Sequence, residues 1–119
     1  MPKIPPRPEV TAHPVYQAAM AAQHTAYQLM REVPADRKSD AARLHQASVH
    51  MTSYVSYAVD PSAPAPQGAW ADALATARDA RERLEPLAGF ATDEKDMETL
   101  RERLADVEKA AEAALGKAA

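Results

Sequence analysis

Histidine is the side chain best suited to ligate a metal or move a proton near neutral pH, and this chain has four, at positions 13, 24, 45 and 50. Their spacing decides what they can do. A di-iron site in a helical bundle is built from Glu-x-x-His pairs that project inward. The residues three before these histidines are Val10, Ala21, Ala42 and Ala47, so no such pair exists. His45 and His50 are five apart, which sets them about 140° apart around a helix and prevents them from sharing one ion. A histidine site assembled across two helices stays open beside the plainer reading of surface or interface histidines. With no cysteine, disulfides and thiolate metal sites are excluded. Ser39, Ser48, Ser53 and Ser56 show no nucleophile–base pairing and read as ordinary helix serines. No glycine-rich phosphate loop is present. No catalytic constellation, cofactor motif or metal set emerges, and the expectation is a protein that is not an enzyme. An enzyme with its site at subunit junctions would have only His24, His45 and His50 to offer.

Charge is the second chemistry to weigh. The stretch VPADRKSDAARLHQAS, residues 33–48, gathers Arg37, Lys38 and Arg43 just after Arg31. A run of this kind is either a solvated helix face or a small phosphate-contact patch for nucleic acid. Glu32, Asp36 and Asp40 are interspersed and neutralise much of its field. The formal net charge is −3, so the chain as a whole does not attract nucleic acid. Residues 1–66 carry six Lys/Arg against five Asp/Glu, and residues 67–119 carry eight against twelve. An anionic partner would therefore approach the N-terminal half.

The third pattern is apolar. Tyr16, Met20, Tyr27 and Met30 form a stripe beside the seam Val15, Ala19, Ala22, Ala26, Leu29 and Val33, and Tyr54 and Tyr57 broaden a later segment. That is more apolar width than one buried seam requires. Tyrosine and methionine are favoured at interfaces, and a wide apolar face on a monomer invites aggregation. These six residues are the candidate oligomer interface.

The elements that must carry these residues are helices. Alanine is abundant, glycine is limited to positions 68, 89 and 116, and β-branched and aromatic residues are few. The proline-rich opening, residues 1–13, reads as an extended arm, and MPKIPPRPEV has no apolar stretch of the kind a signal peptide needs. A first helix is expected over 14–33, with Pro14 at its first position. Pro34 ends it and opens a tight corner into a second helix over 35–58, whose seam is Ala41, Leu44, Ser48, Met51, Val55 and Ala58. A proline-rich connector, DPSAPAPQG (60–68), follows. A third helix over 69–88 buries Trp70, Leu74, Ala77, Leu84 and Leu87, is kinked or stopped by Pro86, and uses Gly89 after its end. A fourth over 92–115 starts at Thr92 with Asp93, Glu94 and Asp96, carries the heptad Met97, Leu100, Leu104, Val107, Ala111 and Ala114, and stops at Gly116. At 119 residues the chain fits one domain. The expected fold is all-α, an antiparallel up-down-up-down four-helix bundle. No stretch reaches the length of a membrane span, and the expected location is the cytoplasm.

Two quoted stretches carry a family resemblance. PVYQAAMAAQHTAYQLMREVPADRKSDAARLHQASVHM resembles the opening of the small four-helix-bundle proteins encoded in intervening sequences of bacterial 23S ribosomal RNA genes, a family that includes the accessory proteins of diversity-generating retroelements. The carriers are Val15-Tyr16-Gln17-Ala18-Ala19-Met20, the corner Val33-Pro34-Ala35-Asp36-Arg37, and Leu44 through Ser48. WADALATARDARERLEPLAGFATDEKDMETLRERL is similar to the family's third helix, its Gly-aromatic corner (Gly89-Phe90) and its fourth helix. The resemblance implies a homopentamer of bundles around a central channel; on that assembly, the functional expectation is a scaffold or adaptor for a protein partner. For the retroelement proteins it also implies nucleic-acid contact through a basic surface, which here would fall to Arg31, Arg37, Lys38 and Arg43. This chain departs from that basic pattern. It is acidic overall, the paired arginines of the second helix are reduced to Arg43 followed by Leu44-His45, and YVSYAVD replaces the family's Asn-Ile-x-Glu ending. The expectation is a homo-oligomeric scaffold, with a nucleic-acid-binding accessory protein as the alternative.

Overall fold

The computed structural model describes residues 7–90 and 94–118, and among these the chain is helical with no strand. The helices are α1 (Pro8–Thr11), α2 (Pro14–Glu32), α3 (Lys38–Ala58), α4 (Pro66–Leu84) and α5 (Glu94–Ala118). The four predicted helices correspond to α2 through α5.

Local chemistry explains most boundaries. Pro14 begins α2, and the ring nitrogen Nδ1 of His13 accepts the Val15 N–H at 3.2 Å, satisfying one of the amides a helix start leaves open. Val33 leaves α2 in an extended conformation (φ −68°, ψ 156°), as the residue before a proline must. The corner then differs from the expected continuous helix over 35–58. Ala35–Arg37 forms a 3-10 turn, and α geometry starts at Lys38. The tighter turn lets the chain reverse direction within a few residues.

Other termini also correct the expectations. The expected extended arm is helical over Pro8–Thr11, because Pro8 suits a first helical position and Val10, only 1% exposed, docks on the body. Residues 1–6 of that arm lie outside the described residues. The connector is shorter than expected, since Pro66 opens α4 three residues early. Pro86 does stop the third helix: α4 ends at Leu84 and continues as a 3-10 segment over Glu85–Phe90. No described glycine has positive φ, so Gly89 does not act as a left-handed cap, and Gly116 lies within α5 rather than after it. One glycine in a helix costs only about 1 kcal/mol against alanine, too little to stop the last turn. The expected cap Thr92 and its neighbour Asp93 lie outside the described residues.

On α2, α3 and α5 the core is built largely where the periodicity placed it, whereas on α4 it shifts. Ala19, Ala22, Ala26 and Leu29 of α2 meet Ala41, Leu44, Met51 and Val55 of α3, and Leu100, Leu104, Val107 and Ala111 of α5 close the far side. On α4 the buried positions are Ala73, Ala77, Ala80 and Leu84. Trp70 and Leu74, expected in the core, are half-buried, and Ala114 on α5 is likewise half-buried. Small residues along α2 and α4 allow neighbouring helices to approach closely.

Each long helix packs on two others: α2 on α3, α3 on α4, α4 on α5, and α5 back on α2. The pairings run in opposite senses. Ala19 meets Thr52 while Tyr27 meets His45, and Arg78 reaches Glu112, Arg81 reaches Glu108 and Glu85 reaches Arg101. Among the described residues no helix is long and apolar enough to cross a membrane.

Candidate functional site

The basic residues at the corner separate on inspection. The Lys38 ammonium donates to the carbonyl oxygens of Met30 and Arg31, each at 3.0 Å. Those are among the carbonyls that the end of α2 leaves without helical partners, and a cation there also complements the helix dipole. Arg37 lays its guanidinium over the Phe90 ring, 4.6 Å from the centroid, and lies 4.0 Å from Asp40. Lys38 thus ties the corner to the end of α2, and Arg37 ties it to the segment before α5. Arg31 is exposed at the end of α2. Arg43 instead lines the groove between α3 and α4, with Gln46, His50, Asp79 and Arg83.

The histidines are likewise dispersed. His13 caps α2. His24 is exposed, its Nε2 lying 3.2 Å from the Gln28 amide nitrogen. The His45 ring packs against Tyr27 at 5.5 Å between centroids, tilted by 57°. His50 belongs to the α3–α4 groove. Among the described residues no group of three or more His, Asp or Glu side chains is placed to hold a metal ion.

The six candidate interface residues divide into two sets. Met20 (40%), Tyr27 (44%) and Tyr57 (45%) are exposed. Tyr16, Met30 and Tyr54 are partly buried and pack against the core. Helical phase explains the division. Tyr27 reaches His45 and so lies on the α3 side of α2, with Met20, seven residues earlier, at nearly the same angle. Tyr57 is seven residues after His50 and therefore shares its α4 side of α3. Val49, half-buried on α3 and one turn after His45, was not among the candidates but extends the Met20–Tyr27 surface.

A stronger property of this surface is its lack of charge. There is no Asp, Glu, Lys or Arg from Pro14 to Met30, and none from Leu44 to Val59. The exposed positions there are filled by Gln17, Gln46, Ser53 and the histidines and apolar residues already named. The opposite side of the molecule contrasts with it. Arg78, Arg81, Glu82, Arg83, Glu98, Glu102, Lys109 and Glu112 are all exposed on α4 and α5. Cross-helix ion pairs stitch that side: Arg101 binds both carboxylate oxygens of Glu85 at 3.1 and 3.3 Å, and these hydrogen bonds raise the arginine's pKa further. Asp60, after α3, accepts the backbone N–H and the hydroxyl of Ser62 at 2.9 and 2.8 Å and is held below the ordinary carboxylate range.

The outer face of α2 and α3 thus offers aromatic, thioether, amide and imidazole groups and no fixed charge. Such a composition suits contact with another uncharged surface; depletion of charge with enrichment of Tyr and Met marks the centres of protein interfaces. The charge-free runs are visible in the sequence, whereas the Tyr27–His45 contact needs the pairing register of two helices. Comparison with known proteins returns no match: no family model, no curated protein and no solved structure matches the chain.

Proposed function

We propose that this chain is a non-enzymatic, homo-oligomeric helical scaffold, and that the α2–α3 face is where its copies meet. In this reading the four long helices form an antiparallel up-down-up-down bundle, which the opposed registers of α2 with α3 and of α4 with α5 support. The carrying observation is the exposure of Met20 and Tyr27 on a two-helix surface without fixed charge.

A second copy is the occupant because of how charge is divided. Pressing the neutral face onto a charged surface, such as the α4–α5 side, would strip water from ions and offer them no partner. Another copy supplies an uncharged α2–α3 surface of the same composition. Whether copies meet through the same patch or close a ring through neighbouring ones sets the number of subunits. The resemblance to the intervening-sequence family argues for five around a channel.

Light scattering on a sizing column tests the reading. The chain weighs 12.9 kDa, so five copies give about 65 kDa and a closed pair about 26 kDa. A mass near 65 kDa supports the pentameric scaffold, one near 26 kDa supports assembly with two-fold symmetry, and a single-chain mass overturns the proposal. Tyr27→Glu is expected to release monomers that keep their helical circular dichroism. An assembly untouched by Tyr27→Glu together with Met20→Glu would place the contact on another face.

A further inference from the structure

We infer that assembly through the α2–α3 face is gated by protonation of His24 and His45. The inference rests on the assembly reading above and adds its control. Along α2, His24 lies one turn from both Met20 and Tyr27, and across the helix pair His45 packs on Tyr27 at 5.5 Å. These two imidazoles are therefore embedded in the surface that copies would bury. Histidine is the one ordinary side chain that changes charge between pH 5 and 8. With neutral imidazoles the face is uncharged; with protons added it carries cations in every copy.

The surroundings determine what that charge would cost. On α2 the ionisable neighbours are Tyr27 and, toward the corner, Arg31 and Glu32. On α3 they are Lys38, whose ammonium is already bound to two α2 carbonyls, and beyond it Asp40, Arg43 and His50, which line the α3–α4 grooves. From α5, which packs on the other flank of α2, come Arg103 and Asp106, paired with each other at 3.0 Å, and Asp96, seven residues before Arg103 and so on the same side of α5. Glu32 falls eleven residues after Ala21, a position that lines the α5 flank, and so shares that side of the helix. Among the described residues the Met20–Tyr27–His45 side thus holds no carboxylate to receive an imidazolium.

Within a single copy the proton is tolerated. His24 is exposed to water, and an imidazolium over the Tyr27 ring gains a favourable cation–π contact. Between copies the same charges are shut into the contact and lose their water without gaining an anionic partner. Protonation therefore favours the separated state, and because every copy contributes, the response sharpens with the number of interfaces.

The test is native mass by light scattering from about pH 8 down to about pH 5, on the full chain and on the double variant His24→Gln/His45→Gln, with circular dichroism confirming retained helix at each pH. The expected result is an assembled wild type at the upper end that falls to single-chain mass below about pH 6, while the double variant stays assembled throughout. A wild type that keeps its assembled mass at the acid end overturns the gate and leaves the assembly standing. Wild type and variant dissociating together also overturn it, since another group would then be responsible. A single-chain mass at the upper end removes the assembly reading and the gate with it. Should the double variant fail to assemble at all, the single variants carry the test: each must lower the midpoint of dissociation, and unmoved midpoints overturn the gate.

Discussion

At the residue scale, the basic pair that looks most like a binding motif is occupied by the fold. Lys38 donates to two carbonyls seven and eight residues before it, so it acts as a side-chain cap on a helix other than its own. Lys38→Ala should lower stability by about 1 kcal/mol, the scale of a charged group at a helix C-terminus; thermal unfolding followed at 222 nm measures it, and an unchanged midpoint would mean that water replaces the ammonium freely. The sequence displays the cluster Arg37-Lys38 plainly, but its partners depend on how sharply the chain turns at Pro34, and no local pattern encodes that angle. Asp60 offers a second test at this scale. Its pKa is lower in the fold than in the unfolded chain, because Ser62 and Arg7 favour the carboxylate. The unfolded chain therefore takes up the proton first on acidification. The stabilising contribution is whole above the ordinary carboxylate value and fades as pH falls through the depressed one. Asp60→Asn should accordingly lower the thermal midpoint at neutral pH and flatten its pH dependence below about pH 4, so that variant and parent converge in acid; melting curves across the pH range measure it, and a constant difference at every pH would rule the carboxylate out.

At the element scale, the four long helices were legible because their apolar positions recur at spacings of three and four over many turns, a pattern only a helix satisfies. Their ends were less so. Proline marks both a stop and a start, so Pro8 and Pro66 could be read as loop while opening helices. The α4–α5 pairing holds a feature that periodicity does not display. Glu108 follows the seam residue Val107 in sequence and is only 5% exposed, with Arg81 at 2.8 Å and Arg78 at 3.8 Å. Both arginines come from α4, and their side chains remain half in water. A buried carboxylate without its cations is costly, whereas an apolar replacement of similar size is nearly neutral. The double variant Arg78→Ala/Arg81→Ala should therefore lose about 3 kcal/mol, and Glu108→Leu should change stability by less than about 1 kcal/mol. Chemical denaturation of both variants decides it, and a double variant as stable as the parent would show that Glu108 hydrates through small movements of α4.

At the scale of the whole molecule, the decisive feature is the separation of a neutral α2–α3 side from a charged α4–α5 side. This much stood in the sequence as two long stretches without Asp, Glu, Lys or Arg. What did not stand there is which stretches lie side by side, since adjacency is fixed by the packing order of the helices and by the register that brings His45 to Tyr27. The division makes salt the informative variable. Contact through an uncharged face gains nothing from ion pairing and loses nothing to screening, and salts that are excluded from protein surface strengthen apolar burial. Binding of a polyanion through Arg31 and Arg43 would behave oppositely, weakening steeply as salt competes for the phosphates. Native mass measured at low protein concentration should therefore hold or rise between about 0.05 and 1 M salt, and any retention on heparin should be lost over the first few tenths molar. An assembly that dissolves as salt rises would put charged residues at the contact and move the interface from α2–α3 to the ion-paired surface of α4 and α5.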